Sequence, residues 1–169
     1  MREPTIYRVF LLPSTLEFDI AVTRAAHFAP RGPKFKVVFG ESGAAKEPAP
    51  APIEETIGMG WLMALDTRMA IERGRRWQAL LFLNMLRDQA LGIACIRHGE
   101  PSDYARGTDR LPRGVTESYE QTLARSLNVD ELLRALALAT KELLLEVERV
   151  KPELAGALDE TLREITDSR

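Results

Sequence analysis

Apolar and polar residues alternate at the start of the chain and later recur with a helical step. Residues 6–12 (IYRVFLL) are rich in β-branched and aromatic side chains. In residues 16–22 (LEFDIAV), Leu16, Phe18, Ile20 and Val22 fall on one face, and Glu17, Asp19 and Ala21 on the other. That period of two predicts strands. Pro13, Ser14 and Thr15 between them are turn residues, so the pair reads as an antiparallel hairpin. A third strand is predicted at Lys34–Phe39 (KFKVVF), closed by Gly40. Residues 47–52 (EPAPAP) hold three alternating prolines. These forbid a helix and favour a stiff, extended linker.

From Ile53 the period changes. Ile53, Ile57, Trp61, Leu65 and Met69 step by four, and Glu54 and Glu55 sit where a helix start favours acids. Gly58 and Gly60 predict a bend or a close approach, and Gly74 a stop. Trp77 to about His98 is apolar nearly all round, as in the central helix of a bundle, and Gly99 ends it. A polar loop (99–114) leads to a helix over about 116–127. Asn128, with Glu131 as reciprocal acceptor, caps a helix running to about Val150. Pro152 opens the last, which turns Leu154, Leu158, Leu162 and Ile165 inward. Trp61 and Trp77 are expected in the core, and His27 in a surface turn. The expected class is α+β: a short antiparallel sheet of two to three strands (1–46), a Pro/Ala linker (47–52) and a bundle of about five α-helices (53–169).

Composition narrows the function classes. The 169 residues are 45% hydrophobic, with 23 basic and 25 acidic side chains and a net charge of -2. That balance gives no global pull toward nucleic acid or a membrane. It is uneven, however. Residues 68–113 hold nine arginines against five acids, and residues 114–169 seven basic side chains against twelve acids. The middle of the chain could therefore receive an anion such as a phosphate, or simply present a solvated basic face. One cysteine, Cys95, excludes an internal disulfide and reads as a small buried hydrophobe. The apolar run from Ala79 to Ile96 is broken by Asn84, Arg87, Asp88 and Gln89, which suits a core helix better than a membrane span. No secretory signal is apparent, and the cytoplasm is the expected location.

Glu17 and Asp19 lie roughly 7 Å apart on one strand face, a reach over which two carboxylates can share a divalent ion. A solvated sheet face would carry acids at the same positions. Arg87 and Asp88 interrupt an apolar helix, either as a structural ion pair or exposed stripe, or as a phosphate contact and a general base. Arg97 and His98 stand at a helix end that favours cations. Arg106 and Asp109, in a loop, could touch a ligand or pair with each other.

Arg8 to Gly40, with the hairpin, Asp19, a Phe-containing turn and Arg31-Gly32-Pro33, resembles the later part of the catalytic domain of polymerase-beta-like nucleotidyltransferases. The likeness is to small bacterial members of the aminoglycoside-nucleotidyltransferase type. Trp77-Gln78-Ala79, Leu86-Arg87-Asp88, Arg97-His98-Gly99, Ala105-Arg106-Gly107-Thr108-Asp109 and Leu111-Pro112 are similar to the helical domain of those proteins. The resemblance implies Mg²⁺-dependent transfer of a nucleotidyl group from a nucleoside triphosphate such as ATP to a hydroxyl acceptor. It places Asp19 at the metal. The residues themselves offer Glu17 beside it, Asp88 as a base, and Arg87, Arg97, Arg106 and Asp109 around substrate or phosphate. The family's Gly-Ser turn and Asp-x-Asp strand have no counterpart here, so the expectation is an N-terminally incomplete protein, inactive alone. The alternative is a non-catalytic helical interaction module. Exposed strand edges would make either a homodimer or a partner complex. A bundle-type toxin nuclease fits worst, because Arg87 and His98 stand too far apart and Arg97 and His98 too close.

Overall fold

The computed structural model describes residues 5–30, 35–44 and 53–166. The chain divides into two compact units, Met1–Pro50 and Ala51–Arg169. The class is α+β, with a two-stranded antiparallel sheet followed by five α-helices.

In the first unit β1 (Ile6–Leu11) pairs with β2 (Glu17–Val22), and Phe10 lies opposite Phe18, Val9 opposite Asp19 and Leu11 opposite Glu17. Paired residues share a face. One face therefore carries Ile6, Arg8, Phe10, Phe18, Ile20 and Val22, and the Phe10 and Phe18 rings meet at 6.3 Å. The turn closes through Leu12 N–H donating to Leu16 C=O at 2.8 Å, with Ser14 and Thr15 at φ 64° and 61°. His27 is exposed in a single 3-10 turn.

The third strand does not form over Phe35–Phe39, and Lys34 lies outside the described residues. Strand propensity expresses a fit to a pleated, half-buried surface, and no neighbour offers one here. Instead the Phe35 ring packs on Phe28 at 5.7 Å, Gly43 N–H bonds Phe28 C=O at 2.8 Å, and Val38 and Phe39 stay exposed. Residues 47–50 of the expected linker fall outside the described residues, as do Ala51 and Pro52.

The second unit contains α1 (Ile53–Glu72), α2 (Arg76–Arg97), α3 (Arg113–Glu120), α4 (Val129–Val150) and α5 (Pro152–Thr166). α1 packs on α2, both pack on α4, and α5 returns against α4 and α1. The core between them holds Leu83, Leu86, Ile93, Leu132, Leu136 and Leu143, all fully buried. Gly60 is the close approach: a Cβ there would stand 2.8 Å from Leu143 Cδ1. Gly74, at φ +69°, turns the chain from α1 into α2. By length and composition α2 could cross a membrane, and half of its most apolar stretch is buried inside this unit.

Three helical details differ from expectation. Trp61 is 38% and Trp77 76% exposed. A step of four residues advances about 40° beyond a full turn, so a strict i+4 series drifts off the buried stripe. That stripe runs Ile57, Gly60, Ala64, Thr67 and Ile71 on α1. Second, α3 starts at Arg113 and ends at Glu120. Beyond it Thr122 is taken by Arg87, whose Nε donates to the Thr122 hydroxyl at 2.6 Å and whose Nη2 donates to its carbonyl at 2.8 Å. Third, the Asn128 side chain makes no capping bond. Glu131 accepts instead from the backbone N–H of Arg125 at 2.8 Å and from the Arg134 guanidinium, whose charge makes it the stronger partner.

Candidate functional site

In the helical unit, α1, α2 and the loop after α2 enclose an open cleft of about 770 Å³. α1 supplies Glu55, Thr56 and Met59, α2 supplies Asp88, Gln89, Leu91 and Gly92, and the loop supplies Ser102 to Ala105 and Thr108. Loop packing shapes the rim. Gly107 lies so close to the preceding chain that a Cβ would stand 2.5 Å from Pro101 O and 2.8 Å from Glu100 Cβ. Arg110 Nε is tied to Glu100 at 2.6 Å. Tyr104 and Ala105 adopt left-handed backbone (φ 53° and 57°), conformations that cost about 1–3 kcal/mol each outside glycine. The Tyr104 ring is left in solvent, with the Arg106 guanidinium 5.4 Å from its centroid.

The cleft's charge is one-sided. Its lining holds the carboxyls of Glu55, Asp88 and Asp103 and no lysine or arginine. Asp88 is exposed as a residue, yet partial burial of its carboxyl in the wall raises its pKa. The neighbouring Arg87 opposes that shift. These carboxyls suit a hydrogen-bonding molecule that carries positive charge, and Arg106, on the Tyr104 ring, is a cation at the rim.

The other expected site residues lie elsewhere. Arg87 is buried and does not line the cleft. Besides its two bonds to Thr122, its Nη1 donates to Asn84 Oδ1 at 2.8 Å. Desolvation lowers its pKa. Arg97 joins α2 to α4, donating from Nε (2.8 Å) and Nη2 (3.0 Å) to the fully buried Glu146. Arg149 binds the same carboxylate. Those bonds raise the pKa of Arg97. Arg106 rests on Tyr104, beside the cleft, rather than pairing with Asp109, which is exposed. Cys95 is buried, 3.9 Å from the Thr108 hydroxyl, and burial pushes its thiol pKa up, as suits a packing residue.

Glu17 and Asp19 belong to the first unit, on the hairpin face shared with Tyr7, Val9 and Leu11. Both are exposed. Among the described residues no three His, Cys, Asp or Glu side chains come together to hold a metal ion. Two carboxylates are a partial fit to Mg²⁺, which takes its remaining ligands from water and substrate phosphates.

Of the residues given a candidate role in a site by sequence, only Asp88 lines the cleft, although Glu55, Gln89, Ala105 and Thr108, noted for other reasons, are there too. The rest of the lining was missed because the loop's return across α1 and α2 is a tertiary event. The one available signal was Gly107, inside a stretch otherwise free to carry side chains. No family model, curated protein or solved structure matches this chain.

Proposed function

We propose that this chain is a nucleotidyltransferase-like protein whose helical unit binds the hydroxyl-bearing acceptor, and that it does not complete the transfer alone. The observation that carries this reading is Asp88, set on the wall of the cleft with its pKa raised. Such a carboxylate accepts a hydroxyl proton better than an ordinary one, and the proton is held within reach of the same wall. The acid lining favours an acceptor bearing amines as well as hydroxyls. Glu17 and Asp19 would contribute ligands to Mg²⁺, which would neutralise charge on a nucleoside triphosphate. The sequence contains neither a Gly-Ser turn nor an Asp-x-Asp pair. On this reading a second polypeptide that joins the transfer supplies the phosphate-holding and remaining metal-binding parts.

Calorimetric titration with glucosamine and with glucose tests the acceptor reading. Saturable binding of the amino sugar, weaker binding of the neutral one and loss of binding in Asp88→Asn are expected. Equal binding by Asp88→Asn, or none by the parent chain, would sink it. A parallel titration with Mg²⁺ and ATP, on the parent and Asp19→Asn, asks whether the hairpin carboxylate contributes.

A second reading, a non-catalytic interaction module, is favoured by the hairpin. Ile6, Tyr7, Val9, Phe10, Leu11, Phe18, Ile20 and Val22 are all exposed, and among the described residues the sheet has two strands. Edges and apolar faces of this kind recruit a second copy or a partner protein. A clean monomer in light scattering at micromolar concentration would count against it.

A further inference from the structure

The turn between α1 and α2 has chemistry that neither the cleft nor the hairpin uses. Arg73, Arg75 and Arg76 surround Gly74 there, all exposed. Among the described residues their guanidinium groups form no ion pair or hydrogen bond; the nearby Glu72 is engaged by Arg68 at 2.7 Å. The first turn of α2 contains no acid. Between Arg73 and Arg87 the sequence has no Asp or Glu at all. A helix start is stabilised by carboxylates and not by cations, so α2 gains nothing from Arg75 and Arg76, while Arg73 suits the C-terminal end of α1. Immediately beside them Trp77 is 76% exposed, and Leu81, one turn on, is 56% exposed. The core stripe of α2 (Ala79, Leu83, Leu86, Ala90, Ile93) faces away from both.

We propose that this turn docks the protein onto an anionic lipid surface, with the three arginines at the headgroups and Trp77 and Leu81 entering the interface. The two halves of the patch call for different things. Guanidinium groups bind phosphates in a fork geometry. An indole with a free N–H settles where an apolar and an aqueous phase meet. A bilayer surface offers both at once, in the side-by-side arrangement seen on this turn. Nucleic acid fits less well: three cations make a small electrostatic footprint, and the chain as a whole is acidic. The near-neutral overall balance hides this cluster, which is why total charge gave no sign of it.

The full chain carrying Trp61→Phe leaves Trp77 as the single indole reporter. It is mixed with vesicles of phosphatidylcholine alone, or with phosphatidylserine added. Expected are co-sedimentation and a blue-shifted emission with the anionic vesicles, both weakening as salt rises. Arg73→Gln, Arg75→Gln and Arg76→Gln together should lower the partition on the order of 100-fold. Trp77→Ala should lower it also, without changing the circular dichroism of the helices, since the side chain is exposed. The exposed hairpin could adhere to lipid by itself. In that case both vesicle types would sediment the chain equally and the triple variant would not differ, which overturns the proposal. Saturation of the turn by inorganic phosphate or a single-stranded oligonucleotide, with no vesicle binding, overturns it as well.

Discussion

The hairpin and the helical bundle draw on similarly apolar stretches of sequence and end in opposite states. Leu11 is 76% exposed and Phe10 45%, whereas Leu83, Leu86 and Leu136 are wholly buried. The alternation in β2 pairs its backbone with β1, but a single pair of strands is one layer, and among the described residues of this unit no second layer forms on it. The helices each expose an apolar stripe, and these face one another across a common core, to which the short α3 adds Tyr119. Local pattern decides what an element is. Burial depends on whether a second layer is present.

The largest test of that contrast is a matched pair of truncations. Leu136→Ala should lower the stability of the helical unit by about 2–5 kcal/mol, from lost burial and the cavity left behind. Phe18→Ala should change it by less than ~0.5 kcal/mol, as for a surface site. Urea unfolding followed by helical circular dichroism measures both. A Phe18→Ala loss as large as that of Leu136→Ala would end the idea that the two regions are stabilised separately.

Next comes the charged seam within the bundle. Glu146 is fully buried and accepts from Arg97 and Arg149, whose side chains are 26% and 48% exposed. Glu146→Gln should cost about 2–3 kcal/mol. That is below the cost of stripping a wholly buried pair, because both arginines can turn to water. Glu146→Leu should cost no less, since it removes the acceptor oxygen that glutamine would still offer to Arg97 and Arg149. If it restored stability, the seam would be dispensable packing.

Gly107→Ala follows, at about 1–3 kcal/mol of overpacking, because its Cβ would meet a backbone oxygen that cannot step aside. This substitution also links the bundle to the cleft. Binding of glucosamine should weaken along with thermal stability, since the same loop forms the rim. Lost stability with intact binding would detach the loop from the site.

These outcomes bear on what the sequence made legible. The five helices, the hairpin and the stops at Gly74 and Gly99 are local matters, written in the period of apolar residues and in the left-handed glycines. Trp61 was misplaced because a step of four imitates a helical face over one turn and drifts off it over several, and Trp77 because a run apolar nearly all round does not mark which side meets the core. The end of α3 depends on Arg87 reaching 35 residues ahead to Thr122, and no local pattern records that bond. The cleft shares this difficulty: Asp88 stood out as a charge in an apolar run, but Glu55, Asp103 and Tyr104 join it only after the loop folds back.

The smallest expected effect lies at the start of α4, where sequence chose a capping pair and the fold chose an ion pair. The Glu131 carboxyl is held down to about 2, first by the Arg134 side chain and then by the Arg125 backbone N–H. A carboxylate whose folded pKa lies below its ordinary 4.5 stabilises the native state above that ordinary value. The contribution is lost as pH falls through the folded value. Glu131→Gln should therefore melt below the parent at neutral pH. The gap should narrow as pH drops from 4.5 toward 2, where a protonated glutamic acid and a glutamine differ little. Melting curves of the two proteins across that range isolate this one group, because every other carboxyl titrates in both. Asn128→Ala is the companion: with no capping bond to lose, it should shift the melt less than the ~1 kcal/mol usual for a cap. A full capping penalty at Asn128, together with a pH-independent gap at Glu131, would mean that the reciprocal cap predicted from sequence governs this helix start after all.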